Sequence, residues 1–184
     1  MSAATKLASP PTWTLDAAHS GITFTVRHMM VTNVRGEFRS FDGTFQFDPQ
    51  DLSIGGVTAS IDVASINTRE EKRDAHLRSA DFFDAAKYPR ATFVSTSARQ
   101  KGEGWEVRGD LTIRDQTHEI VLSVEAPTPE VKDPYGNSKI GVAASTKIKR
   151  SQWGMTWNAA LEAGGFLVGD EITIHLELEL SRAQ

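Results

Sequence analysis

The stretch His19-Ser-Gly-Ile-Thr-Phe-Thr-Val-Arg-His-Met-Met30 alternates apolar and polar side chains almost without error. Ile22, Phe24, Val26, His28 and Met30 share one face, and Gly21, Thr23, Thr25 and Arg27 share the other. A period of two over that length predicts a strand with one face on a protein interior and one on water. The interior face carries a large aromatic, a methionine and an ionisable histidine, on a strand long enough to cross a barrel wall.

The pattern recurs. Ile172, Ile174, Leu176, Leu178 and Leu180 alternate with polar residues, as do Val107, Gly109, Leu111 and Ile113. Ile120, Leu122 and Val124 follow the same rule, as do Ile140, Val142, Ala144, Thr146 and Ile148, and Val57, Ala59, Ile61 and Val63. Strands with one wet and one apolar face belong to antiparallel sheets, and no run of amphipathic helices is present to cover a parallel one. The chain is therefore all-β. Strands are expected at roughly 13–16, 20–30, 33–47, 56–64, 91–99, 105–114, 117–127, 139–149 and 171–181. Within 33–47 the apolar parity switches between Phe38 and Phe41, which requires a bulge or bend near Arg39-Ser40.

With 184 residues, a net charge of −4 and no cysteine, the chain suits one barrel or sandwich domain without disulfides or a thiolate zinc site. The charge balance argues against nucleic acid as a partner. Residues 1–12 read as a loose tail before a single domain over 13–182. Their one lysine and lack of an apolar run do not spell a secretory leader, and no later run approaches a membrane span, so a cytoplasmic location is expected.

Two segments break the strand rhythm. Thr68-Arg-Glu-Glu71 spells a capping box, with Thr68 as N-cap of a helix over roughly 69–79. Ser151 to Glu162 is rich in bulky apolar residues without alternation. Large apolar side chains in connections need something to pack on, and a barrel mouth is the expected place. Asp16 and His19 flank the first turn and read as a structural pair. Trp105 and Tyr135, in turns, are candidates for a contact between copies. Alternation shows which side chains face inward and not whether space remains between them; a filled barrel and a hollow one fit it equally.

Several short pieces, in order, resemble the YceI-like family of polyisoprenoid-binding proteins with a lipocalin-like barrel. They are Trp13-Thr-Leu-Asp-Ala-Ala-His-Ser20, Phe24-Thr-Val-Arg-His-Met-Met-Val31, Val34-Arg-Gly-Glu-Phe38 and Phe41-Asp-Gly-Thr-Phe45. Ala64-Ser-Ile-Asn-Thr68, Arg73-Asp-Ala-His-Leu-Arg-Ser79, Asp81-Phe-Phe-Asp84 and Tyr88-Pro89 come next, then Gly109-Asp-Leu-Thr-Ile113, Thr156-Trp-Asn158 and Val168-Gly-Asp170. The resemblance implies an extended antiparallel β-barrel with a short helix near its opening. It further implies a polyisoprenoid, isoprenoid quinone or fatty-acid-like ligand in a deep apolar channel, frequent homodimers and no catalytic activity. Many members carry an export signal, which residues 1–12 do not spell.

On that reading the channel wall is Phe24, Val26, His28, Met30, Phe38, Phe41, Phe45, Phe93, Leu111, Ile113, Leu122, Ile148, Trp153, Met155 and Trp157. Arginine forks suit an anionic head group, so Arg73 and Arg78, with His76, are head-group candidates on the helix at the mouth, and His28 serves an uncharged quinone-like head. Against this stands an ordinary solvated helix face with an Asp74–Arg78 pair. Neither a catalytic constellation nor a metal set is spelled out: His118 and Glu119 are adjacent in a strand and point to opposite faces. A lipid carrier, store or sequestering protein in transient contact with membranes is the expected function. The alternative is an enzyme or stress-related accessory protein acting on a smaller amphiphile.

Overall fold

The computed structural model describes residues 9–183 and contains, among them, twelve strands and one α-helix. In chain order they are β1 Thr12–Leu15, β2 Gly21–His28, β3 Thr32–Phe38, β4 Phe41–Asp48, β5 Asp51–Asp62, β6 Ile66–Asn67, helix α1 Glu71–Arg78, β7 Arg90–Lys101, β8 Gly104–Ile113, β9 Gln116–Val124, β10 Val131–Lys132, β11 Ser138–Lys149 and β12 Val168–Arg182. Most of the tail expected over 1–12 lies outside the described residues, and Thr12 already pairs with Gln46.

All strands join one antiparallel sheet, which closes because β12 pairs with both β11 and β1. The ring runs β11-β9-β8-β7-β5-β4-β1-β12 and back to β11, a closed eight-strand barrel. Three of its walls are strands laid end to end. β1 and β2 lie along β12, β4 and β3 lie along β1 and β2, and β5 and β6 lie along β4 and β3. The β3–β4 break falls at Arg39-Ser40, where the parity switches, and Ser65 Oγ accepts both backbone N–H groups at 3.1 and 3.0 Å.

Two close approaches set the wall's shape. A Cβ on Gly36 would fall 2.3 Å from the Phe24 ring, and one on Gly109 would fall 2.3 Å from the Phe93 ring. Those aromatics lie flat against neighbouring strands only because the partner position has no side chain. The lower end, with the β4–β5 and β7–β8 hairpins, is filled by Trp13, Phe45, Phe47, Ile140 and Leu180. Trp13 Nε1 donates to Phe47 O there at 3.1 Å.

Several local expectations change. β2 ends at His28, and Met29 and Met30 form the turn with φ of 49° and 60°. That mirror-image turn follows the strand twist but is rarely built without Gly or Asn, so no signal marked it. Helix α1 starts at Glu71 with Glu70 as its cap, its carboxylate accepting from Lys72 N and Arg73 N. Thr68 is instead gripped by buried Asp74, whose Oδ1 accepts from Thr68 N at 2.9 Å and Oγ1 at 2.5 Å. Asp74 is thereby committed to Thr68 rather than to Arg78.

Candidate functional site

Inward side chains at the waist of the barrel touch too little. Val142, Ala144, Ile172, Ile174, Leu176 and Leu178 point inward by register yet remain only half-buried. The space they face is a cavity of about 340 Å³ with an almost wholly apolar wall. Its size and apolar lining are those of a ligand pocket.

Most of the expected wall residues lie on this cavity: Phe24, Val26, Phe38, Phe41, Phe45 and Phe93 from β2–β4 and β7, Leu111, Ile113, Leu122 and Ile148 from β8, β9 and β11, and Met155 from the β11–β12 connection. Phe24, Phe38 and Phe83 form a chain of rings with centroids 5.7 and 5.8 Å apart. The other four lie off it. His28 ends β2 opposite Thr32 and Val168, and Met30 sits on the hairpin tip, 63% exposed. Trp153 is wholly buried beside the cavity, its Nε1 donating to Leu111 O. Trp157 stacks edge-on against His76, centroids 4.5 Å apart.

The helix brings Leu77 to the cavity wall, and Phe82 and Phe83 follow it. Its two arginines turn to backbone carbonyls. Arg73 donates to Thr68 Oγ1 and O at 2.7 and 2.8 Å, and Arg78 donates to Ala64 O and Ile66 O at 2.9 and 3.0 Å. His76 Nε2 lies 2.8 Å from Asp81 Oδ2. These contacts pin the helix to the β5–β6 edge, and none of the three side chains reaches the cavity wall.

The charged side chains on the wall are Asp42 and Arg150. Arg150, which the sequence reading passed over, is 5% exposed. Its Nε donates to Gly169 O at 2.9 Å, Nη1 to Met155 O and Trp157 O at 2.6 and 2.9 Å, and Nη2 to Val168 O at 3.3 Å. Burial pushes its guanidinium below the usual arginine value, with Asp170 opposing. One cation thus ties both halves of the 150–169 connection across the upper end of the barrel.

Outside the cavity, Asp16, His19 and Glu179 cluster closely enough to hold a metal ion by distance. The Lys139 ammonium already bonds Asp16 Oδ2 at 3.0 Å and Glu179 Oε1 at 2.5 Å, so the carboxylates have their cation and an arriving ion would have to displace it. Lys139 and then His19 hold the Asp16 carboxyl well below the usual range, while Glu179 and Asp16 raise Lys139. A depressed carboxylate adds stability above its unfolded value of about 4 and loses it as pH falls through the folded value. Asp16→Asn should therefore lower the urea midpoint by a constant amount between about pH 7 and 5, with the gap to wild type narrowing below about pH 4. A gap independent of pH down to about 2 would show that the pair carries no charge-linked stability.

A closed eight-strand antiparallel barrel, hollow and apolar within and bearing one short helix, defines a lipocalin-like class of protein. The YceI-like domain model matches residues 13–180, and the chain belongs to that family. A UPF0312 protein of Staphylococcus aureus is 36% identical over 169 residues, covering 92% of this chain and 96% of its own. Among solved structures, the Campylobacter jejuni YceI protein is 32% identical, with a TM-score of 0.72 over 93% of this chain and 98% of that one. A polyisoprenoid binding domain from Saccharophagus degradans shares the fold at 17% identity, with a TM-score of 0.66 over 93% of this chain and 98% of its own.

Proposed function

We propose that the protein binds an amphiphile with a long apolar chain, a polyisoprenoid, isoprenoid quinone or fatty-acid-like lipid, and carries, stores or sequesters it. The observation that supports this best is the half-buried inner face of β11 and β12 around an apolar cavity. Leaving such a wall open to water is costly, and each CH₂ of a chain laid along it contributes about 0.8 kcal/mol before ordering costs. The Saccharophagus degradans neighbour, described as polyisoprenoid-binding, adds an analogy at the level of the fold.

None of the five histidines lies on the cavity wall, and its charged side chains are Asp42 and Arg150. No helix among the described residues is long and apolar enough to cross a membrane. A cytoplasmic, homodimeric carrier in transient contact with membranes is part of the same proposal, checked by cell fractionation and light scattering. The decisive experiment is mass spectrometry of an organic extract of the purified protein beside native mass spectra. A stoichiometric long-chain amphiphile is the expected result. An empty protein that also refuses added polyprenols and fatty lipids would contradict the proposal.

A further inference from the structure

Both ends of the barrel are filled, yet the cavity reaches water. Trp13, Ile140 and Leu180 plug the lower end, and Trp153, Met155 and the Arg150 clamp close the upper one. Among the residues lining the cavity, the exposed ones are Asp42, Ser53, Gly55, Gly56, Thr96 and Ser97. All but Asp42 lie where β5 and β7 part company.

The parting is visible in the register. β5 and β7 pair from Asp62–Arg90 to Thr58–Val94 and no further. Below that point β7 bulges between Ser95 and Ser97 as it follows β8, and β5 slips register between Asp51 and Gly55 as it follows β4. Bulges disrupt the ladder locally, and both fall beyond the last β5–β7 pair. Ser95 Oγ accepts from Val57 N at 2.8 Å and marks where the gap begins. Ser53, Gly55, Gly56, Ser95, Thr96 and Ser97 along the gap are small. The other thin place in the wall, between β9 and β11, is bridged beyond its two paired positions by Thr146 Oγ1 to Val121 O at 2.8 Å and Glu125 N to Ala143 O at 2.9 Å.

Resting on the carrier reading, we propose that the seam between β5 and β7 is the portal through which the apolar chain enters and leaves, and that its hydroxyl rim seats an uncharged, hydrogen-bonding head group. Ser95, Thr96 and Ser97 and the unpaired backbone groups of two strand edges supply donors and acceptors there. No basic side chain lines this stretch. The nearby Arg99 and Lys101 are both spent on Glu106. A carboxylate or phosphate would sit there without a counter-ion, whereas an alcohol, amide or quinone carbonyl needs none.

The seam can be closed reversibly. A Cβ on Gly56 meets only Ser95 Oγ, at 3.5 Å, whereas one on Gly55 would fall 1.9 Å from Gln46 O. The chain has no cysteine of its own, so the double variant G56C/S95C carries a single possible pair. All-trans-retinol, an isoprenoid alcohol whose emission rises on burial, is the probe. Oxidised G56C/S95C should take up and release retinol at least about 10-fold more slowly than the same protein reduced. Ser97→Trp, which needs no disulfide, should slow both rates too. Exchange at the wild-type rate in both the oxidised pair and S97W would overturn the portal. Wild type should bind retinol at least about 10-fold more tightly than retinoic acid; the reverse order would overturn the head-group assignment. Failure of wild type to bind either would sink the carrier reading itself, and the portal with it.

Discussion

Ala144→Trp is expected to cut the affinity for a long-chain lipid by roughly 100-fold or more while leaving the fold intact. Ala144 sits midway along β11, opposite Leu176 on β12 and Val124 on β9, on the cavity wall. An indole there projects into a space of about 340 Å³ and occupies the room a ligand chain would take. The companion measurement is stability. Inserting that bulk into a filled core costs about 1–3 kcal/mol or more through strain and displaced neighbours. In a hollow barrel the ring instead covers apolar wall that was facing water, so the thermal midpoint should hold or rise. A lowered midpoint, in a protein whose wild type takes up no lipid, would mean that the barrel is packed solid.

Arg150→Met should lower stability by roughly 3–5 kcal/mol in urea denaturation. Methionine keeps much of the stem but removes the donors to Gly169 O, Met155 O, Trp157 O and Val168 O. Leaving buried carbonyls without partners costs about 1–3 kcal/mol each, though not additively. The cation also lies over the Phe82 ring at 5.8 Å, so that contact goes with it, while Phe82 keeps its ring contact with Trp157 at 5.5 Å. Arg150→Lys should fall between, because an ammonium cannot reproduce a planar fork. A loss below about 0.5 kcal/mol for Arg150→Met would show that the 150–169 connection holds itself in place without the clamp.

How much of this was readable in the chain differs by level. The period of two placed the strands because every wall has a wet and an apolar side, and it marked Arg39-Ser40 as a break since Phe38 and Phe41 cannot otherwise both face inward. It carried β2 too far, to Met30, because the Met29-Met30 turn contains neither Gly nor Asn. Arg150 had a signal that went unused: it shares the inward parity of Ile148, and an arginine at such a position calls for an explanation. Arg73 and Arg78 had none. Their carbonyl partners at Thr68, Ala64 and Ile66 depend on how the β5–β6 wall curves, which composition does not encode. The hollowness was equally hidden, since parity fixes direction and not distance. So was the seam, because which strand edge fails to pair is decided by bulges in two strands far apart in sequence.

The most direct test of a hollow, chain-holding barrel is calorimetric titration of the lipid-stripped protein with prenyl alcohols of increasing length. Affinity should climb by at least about tenfold per isoprene unit, with a negative heat-capacity change, until the cavity is full, and then level off. Affinity that does not depend on chain length, or no heat of binding at any length, would contradict the account.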